Sequence, residues 1–126
     1  MNKPRHVLLI DGDAFYANIM REHLKREGFE VCHAPSGERG VEEAKEQLPD
    51  IILLAIRLPK KDGFEILEAL KSDPKTSSIP VAMLTELGKA EDVQYCFARG
   101  VCDYLIKSQQ APEEISARIR KILRCG

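Results

Sequence analysis

The feature that most constrains the fold is a run of five apolar residues, Ile51 to Ala55. Such a run predicts a strand that is buried on both faces, at the centre of a parallel sheet. The loop after it contains Pro59 and Gly63 and leads into an amphipathic helix. Because ligands of open α/β sheets bind outside the carboxyl ends of the strands, Ala55 at this strand's tip occupies the position of most interest.

Strand patterns alternate with helix patterns along the rest of the chain. The other predicted strands are His6–Ile10, Glu30–Ala34, Pro80–Thr85 and Cys102–Lys107. Helices are predicted over Ala14–Glu27, between Ser36 and Pro49, between Asp62 and Asp73, over Lys89–Ala98, and from Pro112 onward. This alternation predicts an α/β fold with right-handed crossovers. We expect a single doubly wound, five-stranded parallel sheet of flavodoxin-like strand order 2-1-3-4-5, with five helices.

Apolar residues predict which side of each helix is buried. The predicted buried residues are Phe15, Ile19 and Leu24 in the first helix and Val41, Ala44 and Leu48 in the second. The fourth helix has few apolar residues, mainly Val93 and Phe97, and is therefore expected to be the weakest helix.

Length and composition predict one soluble domain over residues 1–126, with its core over 6–124. Of the 126 residues, 44% are hydrophobic and 31% are charged, which is an ordinary globular balance. The net charge of −1 gives no reason to expect nucleic acid or a membrane as a partner of this domain. No signal peptide and no membrane-length apolar run is present, so a cytoplasmic location is expected. The cysteines lack metal-binding spacing, and no cofactor is expected.

The third strand and its loop resemble the receiver domain of two-component response regulators. In that family the frame reads apolar-apolar-Asp-x-x-(Leu/Met)-Pro-x-x-(Asp/Asn)-Gly, and the Asp accepts a phosphoryl group from a histidine kinase. Here Leu58, Pro59, Asp62 and Gly63 keep the pattern, and Ala55 stands in place of the Asp. The resemblance extends over residues 7–123 and implies a signalling module that is not an enzyme.

The resemblance also assigns the acidic pocket that holds Mg²⁺ in working receivers. Asp11 fills the first acidic position, and Gly12 fills the second, where a carboxylate usually binds the metal. Asp13 follows, and an N-cap of the first helix is favoured for it over a displaced metal ligand. Since Mg²⁺ requires several oxygen ligands, Asp11 and Asp13 could form a weak site at most, and no resident metal is expected.

Three further positions match the family. Thr85 matches its switch hydroxyl, Tyr104 its switch aromatic, and Lys107 the Lys that pairs with the phosphoryl group. These matches indicate ancestry rather than retained switching, because switching requires the phosphate.

Two other positions depart from the family, and a third, Arg57, alters the pocket. Ser108 replaces the Pro that follows the Lys, so the Lys107–Ser108 peptide bond is expected to be trans. Glu86 is large and anionic where a small residue leaves the phosphoryl pocket open. Arg57 could balance Asp11 and Glu86 in place of a cation, or it could be a solvated loop residue.

The preferred hypothesis is a pseudo-receiver that acts by protein–protein contact through helix four, strand five and helix five. Asp103, Tyr104 and Arg118 are the candidate interaction residues, and the same face is a candidate homodimer contact. One alternative is an ordinary Asp-phosphorylated receiver that carries an engineered Asp-to-Ala change at Ala55. Another is a small flavin- or nucleotide-binding protein of the same fold, although no glycine-rich phosphate loop follows strand one.

Overall fold

The structure, a computed structural model, describes residues 4–86 and 88–125. The strands are β1 (His6–Ile10), β2 (Glu30–Ala34), β3 (Ile51–Leu54), β4 (Val81–Thr85) and β5 (Asp103–Ile106). The helices are α1 (Ala14–Arg26), α2 (Gly37–Gln47), α3 (Gly63–Ser72), α4 (Ala90–Ala98) and α5 (Pro112–Cys125). All strand pairs are parallel and the order is β2-β1-β3-β4-β5, which confirms the predicted fold.

Strand β3 lies at the centre of the sheet, between β1 and β4. Its four residues are fully buried, as are the last four of β1. Helices cover both faces of the sheet here, so the side chains of these eight residues are buried on either face, and all of them are apolar. The central position of β3 explains why its sequence is a continuous apolar run.

The helices form two layers, and each layer packs on one face of the sheet through its own hydrophobic cluster. Helices α1 and α5 pack on one face of the sheet, through Met20, Leu24, Ile115 and Ile119 among others. Helices α2, α3 and α4 pack on the opposite face. Among the described residues, no helix is both long and apolar enough to cross a membrane.

The prediction for the buried side of α1 was wrong for Phe15 and Ile19 and is confirmed for Leu24. Phe15 is 78% exposed and Ile19 is 46% exposed, and the buried residues of the helix are Ala17, Met20 and Leu24. Leu24 lies nine residues after Phe15, which is two and a half helical turns, so the two side chains lie on opposite sides of the helix.

Leu48 was also predicted to be buried and is 58% exposed instead. Helix α2 ends at Gln47, and Leu48 has left-handed backbone angles, φ 47° and ψ 62°. The α conformation is disfavoured before a proline, and Pro49 follows. Helix α2 packs instead through Gly37, Gly40 and Ala44, with Val41 partly buried.

Helix α4 packs on the core without Phe97, which is 47% exposed. Cys96 is the buried residue of this helix, and Val93 is only half-buried. Tyr95 packs edge-on against Phe64 of α3, with 5.0 Å between the ring centroids. The helix therefore contacts the core through a face that excludes Phe97.

Candidate functional site

A cleft of about 400 Å³ lies outside the carboxyl ends of β1, β3, β4 and β5. Its lining contains most of the residues that the sequence singled out: Asp11, Gly12, Asp13, Ala55, Arg57, Thr85, Glu86 and Lys107, with Leu58 and Pro59. The strand order reverses direction between β1 and β3, which is where open α/β sheets place their ligands. Tyr104 and Ser108 do not line this cleft.

Ala55 follows β3 directly and is 3% exposed. Its N–H donates to the carbonyl of Ile10 at 3.0 Å, which fixes the strand tip beside β1. On the other side, Gly63 lies so close that a Cβ on it would overlap the Ala55 carbonyl. The acceptor position is therefore held rigidly, and it contributes a methyl group to the cleft.

Asp11 and Lys107 form a buried ion pair in the floor of the cleft. The Lys107 Nζ lies 2.7 Å from Asp11 Oδ2, and the two side chains are 7% and 2% exposed. The Lys107 ammonium is thus the partner of Oδ2 among the described residues. The other oxygen, Oδ1, accepts from the Asp13 N–H at 2.9 Å.

Arg57 does not take the role of balancing Asp11. It is exposed, and it forms no ion pair within residues 4–86 and 88–125. Lys107 is the cation beside Asp11. Arg57 therefore fits the second expectation from the sequence, that of a solvated loop residue.

Asp13 is the N-cap of α1, as predicted. Its Oδ1 accepts from the Tyr16 N–H at 3.1 Å, which satisfies one of the free donors of the first turn. Gly12 provides no side chain, and a Cβ there would lie 3.1 Å from Cδ of Pro59.

Tyr16 belongs to the site and was missed by the sequence analysis. Its ring centroid lies 4.2 Å from Lys107 Nζ, a cation–π contact. Burial, and then the carboxylates of Asp11, Glu86 and Asp13, raise the pKa of the Tyr16 hydroxyl well above its ordinary value. The only sequence signal was its place beside the buried stripe of α1, in the first turn after the strand tip.

Thr85 is the last residue of β4, and Glu86 follows it; both line the cleft. Thr85 is 2% exposed, and its carbonyl accepts from the Lys107 N–H at 2.9 Å, which aligns the ends of β4 and β5. Glu86 is exposed at the mouth. The Lys107–Ser108 peptide bond is trans, in agreement with the expectation from Ser108.

Tyr104 lies on β5 and packs against the hydrophobic cluster that covers the α2–α4 side of the sheet. Burial, and then the neighbouring Cys96 and Asp92, raise the pKa of Tyr104 to about 12. Next to it, Asp103 Oδ2 accepts from Arg118 Nη1 at 2.6 Å. The candidate interaction residues Asp103 and Arg118 thus form an ion pair within one chain.

The residues of the cleft do not fit a Mg²⁺ ion. Asp11 is neutralised by Lys107, Asp13 caps a helix, and Gly12 has no ligand atom. Among the described residues, no group of three or more His, Cys, Asp or Glu side chains is arranged to hold a metal. Hard cations require several oxygen ligands, and a fixed ammonium beside Asp11 repels one.

Comparisons with known proteins agree on one family. The family model described as "Response regulator receiver domain" matches residues 7–120. The chain is 39% identical over 118 residues to the DNA-binding dual master transcriptional regulator RpaA of Synechocystis, which covers 94% of this chain and 48% of the relative. It is 32% identical over 124 residues to the alkaline phosphatase synthesis transcriptional regulatory protein PhoP of Bacillus subtilis, and the match covers 98% of this chain and 50% of that relative. The chain thus spans about half the length of these relatives.

A solved structure with a similar fold is the BeF3-activated N-terminal receiver domain of Klebsiella pneumoniae RstA. It has a TM-score of 0.87 and 27% identity, and the match covers 95% of this chain and 99% of that one.

Proposed function

The chain belongs to the response regulator receiver domain family, and on that premise we propose that it is a pseudo-receiver that signals in the cytoplasm without being phosphorylated. The observation that carries the proposal is the buried methyl group of Ala55 at the tip of β3. A methyl group has no lone pair with which to accept a phosphoryl group. Family membership also leaves no support for the alternative of a flavin- or nucleotide-binding protein.

The state of Lys107 supports the proposal. In a working receiver this Lys neutralises the transferring phosphoryl group, whereas here its ammonium lies 2.7 Å from Asp11. Breaking a buried ion pair leaves uncompensated charge, so Lys107 is held away from that role.

The charge of the cleft supports it as well. Glu86 at the mouth and Asp13 at the rim are anionic, and both repel an incoming phosphodonor. The residues of the cleft also do not fit the Mg²⁺ ion that would screen this repulsion. The proposal thus has three supports: the missing acceptor, a cleft whose residues do not fit Mg²⁺, and anionic side chains where a phosphodonor would enter.

We further propose that the output is protein–protein contact through the surface of α4, β5 and α5, the α4-β5-α5 face. Arg118 is 48% exposed while it pairs with Asp103, and Tyr104 lies beside this pair on the strand. An exposed ion pair exchanges partners at little cost, because such pairs contribute roughly 0–1 kcal/mol. The pair could therefore open toward a partner protein or toward a second copy in a homodimer.

Intact-mass spectrometry tests the absence of phosphorylation. After incubation with Mg²⁺ and acetyl phosphate, the mass should be unchanged, while a receiver domain that carries the acceptor Asp gains one phosphoryl group under the same conditions. A stoichiometric acyl phosphate on Asp11, Asp13 or Asp50 would contradict the proposal.

Thermal denaturation tests the metal site separately. A ligand that binds only the folded state raises stability by RT ln(1 + [L]/Kd). Millimolar Mg²⁺ should therefore leave Tm unchanged relative to Na⁺ at matched ionic strength. A rise specific to Mg²⁺ would mean that Asp13 or Glu86 completes a site with Asp11.

A second candidate is an ordinary receiver in which Ala55 is an engineered replacement of Asp. The observation that favours it is that Asp11, Thr85 and Lys107 all line the cleft. Gly12, Glu86 and Ser108 oppose it, since one engineered change does not account for four departures. The Ala55→Asp variant distinguishes the two candidates, because only an otherwise intact receiver would be phosphorylated after this single change.

A further inference from the structure

The charged side chains of the helices are divided between the two faces of the sheet. Helices α1 and α5, on one face, carry seven Arg or Lys residues and three Glu. Helices α2, α3 and α4, on the other face, carry three Arg or Lys residues and eight Asp or Glu. The helices of one face thus have an excess of positive charge and those of the other an excess of negative charge, although the net charge of the chain is only −1.

The positive charge is concentrated in the C-terminal halves of α1 and α5, which we call the basic face. The two helices are joined there by Arg120, whose Nη2 lies 2.7 Å from Glu27 Oε1, and by His23, whose Nε2 lies 3.2 Å from Ser116 Oγ. Around these contacts, five basic residues form no ion pair with any described residue: Arg21, Lys25, Arg26, Lys121 and Arg124.

A shallow pocket with an apolar floor adjoins the basic face. It is lined by Phe29 and Leu123 and rimmed by Arg5, Arg120 and Arg124. The basic face therefore offers apolar contact area as well as positive charge.

The negative charge on the other side has a comparable arrangement, which we call the acidic face. Glu38, Glu42 and Glu46 follow one another at four-residue spacing on α2, and all three are exposed without an ion-pair partner among the described residues. Like charges at this spacing destabilise a helix by roughly 0.2–0.5 kcal/mol per pair. A bound cationic surface would remove that cost.

A groove between α2 and α3 provides apolar contact area on the acidic face. Val41, Ile66 and Ala69 line it beneath the carboxylates of Glu38, Glu42 and Glu65, with Lys61 at one end. Each face thus combines charge of one sign with a small apolar floor.

We propose that copies of this chain associate head to tail, with the basic face of one copy on the acidic face of the next. The complementary surface for each face is present on the chain itself, which favours a second copy over an unrelated polyanion. Complementary potentials favour association, and a net charge near zero does not oppose it.

The two faces lie on opposite sides of the sheet, so the contact is heterologous. Such a contact adds copies until a ring closes or an open assembly forms. The assembly should be sensitive to salt, since the Debye length falls from about 30 Å at 0.01 M to about 3 Å at 1 M. The proposal does not depend on the phosphorylation state of the chain.

Sedimentation velocity over a range of protein concentrations, at about 0.01 M and about 1 M NaCl, tests the proposal across that change in Debye length. At low salt the wild-type chain should form larger species, and their fraction should rise with protein concentration. At high salt it should be only monomer. A chain that stays monomeric at low salt and high concentration overturns the proposal.

Charge-reversal variants identify the surfaces. Lys121→Glu/Arg124→Glu and Glu38→Lys/Glu42→Lys should each lose the larger species at low salt. Mixing the two variants should restore association, because each then provides one face that complements the other chain. Failure of the mixture to associate, while each variant retains its native circular dichroism spectrum, contradicts the head-to-tail contact.

Two controls complete the design. Lys75→Glu/Lys89→Glu changes the net charge by the same amount as the basic-face variant but outside both faces, and it should associate like the wild type. Loss of association in this control assigns the effect to net charge and overturns the proposal. The proposal is also overturned if the wild-type chain binds poly-L-glutamate through Lys121 and Arg124 yet remains monomeric. Its basic face would then bind a polyanion and not a second copy.

Discussion

The ammonium of Lys107 lies between Asp11 Oδ2, at 2.7 Å, and the ring of Tyr16, whose centroid is 4.2 Å away. Asp11 directly follows β1, Tyr16 lies on α1 and Lys107 directly follows β5. Asp11 and Lys107 line the cleft, and Tyr16 packs against the ammonium. The positive charge that a working receiver keeps for a phosphoryl group is here satisfied within the protein. The floor of the cleft therefore acts as a structural element, and its energetics can be measured.

Lys107→Met should destabilise the protein strongly at neutral pH, because it leaves the buried Asp11 carboxylate without its cation. Removal of one partner from a buried pair typically costs about 3–5 kcal/mol of unfolding free energy. Urea denaturation at neutral pH measures the loss, and Asp11→Asn/Lys107→Met should recover most of it.

Arg118→Met is the matched control for that experiment. It breaks the Arg118–Asp103 pair, which is exposed at the surface, and it should cost no more than about 1 kcal/mol. If Lys107→Met costs no more than Arg118→Met, the Lys107–Asp11 pair does not stabilise the fold.

Tyr16→Phe should stabilise the protein by about 1 kcal/mol. The Tyr16 hydroxyl oxygen is buried and has no hydrogen-bond partner among the described residues, and such a group costs about 1–3 kcal/mol. An ordinary tyrosine is protonated at neutral pH, as Tyr16 is in the unfolded chain, and the raised pKa of Tyr16 keeps its hydroxyl protonated in the folded chain. Urea denaturation at pH 7 therefore measures the hydroxyl itself and not a phenolate charge.

Tyr95→Phe provides the comparison. The Tyr95 hydroxyl donates to Glu68 Oε1 at 3.4 Å in an exposed contact, so its removal should change stability by less than about 0.5 kcal/mol. A Tyr16→Phe variant that is less stable than the wild type would mean that a bound water satisfies the Tyr16 hydroxyl.

Local signals in the sequence were sufficient to predict the elements and their order. Strand β3 is a continuous apolar run, and β1 and β4 are nearly so. Asp13, which was predicted as a cap, and Ser36 and Asp62, which mark the starts of the next two predicted helices, each accept a backbone N–H from the first turn of their helix. These features depend on residues within a few positions of one another. The alternation of strands and helices predicts the parallel sheet, and the short helices and single-domain length favour its strand order.

The pairing inside the cleft could not be predicted in the same way. Asp11 and Lys107 lie at opposite ends of the sequence, and their contact depends on side-chain lengths and on the place of Tyr16 beneath the ammonium. The sequence supplied two cations for the cleft, Arg57 and Lys107, and no rule of spacing decides which one reaches Asp11. Phe15 was placed on the wrong side of α1 because a hydrophobic residue was taken as a buried one, although its helical position faces solvent.

Leu48→Gly should stabilise the protein by a few tenths to about 1 kcal/mol. Leu48 has φ 47° and is 58% exposed, so its side chain gains little from packing while its backbone is strained. Left-handed angles cost an L-residue about 1–2 kcal/mol, and glycine avoids most of this at some cost in unfolded-state entropy. Thermal denaturation measures the change.

Gly28→Ala is the reverse experiment at the end of α1. Gly28 has φ 97°, and no atom lies within 4 Å of the Cβ that alanine would add, so only the backbone conformation is tested. A loss of about 1 kcal/mol is expected. If Leu48→Gly is destabilising while Gly28→Ala behaves as expected, the Leu48 side chain makes a stabilising contact.

Ala55→Asp alone should not restore phosphorylation. The new carboxylate would enter a cleft that already contains Asp11 and Glu86, with Lys107 committed to Asp11 and no fitting site for Mg²⁺. Its first effect should be repulsion and a loss of about 1 kcal/mol of unfolding free energy.

Phosphorylation should require Gly12→Asp and Glu86→Ala in addition to Ala55→Asp, to supply a metal ligand and to open the mouth of the cleft. A Cβ at residue 12 would lie 3.1 Å from Pro59 Cδ, so the proline ring must shift by a few tenths of an ångström for Gly12→Asp to fit. Ser108→Pro is the next change to add if Lys107 remains on Asp11. Intact mass after treatment with acetyl phosphate, across the single, double and triple variants, measures the recovery. If Ala55→Asp alone is phosphorylated at the rate of an ordinary receiver, the cleft is intact and Ala55 is the only lesion, so the engineered-receiver alternative replaces the pseudo-receiver.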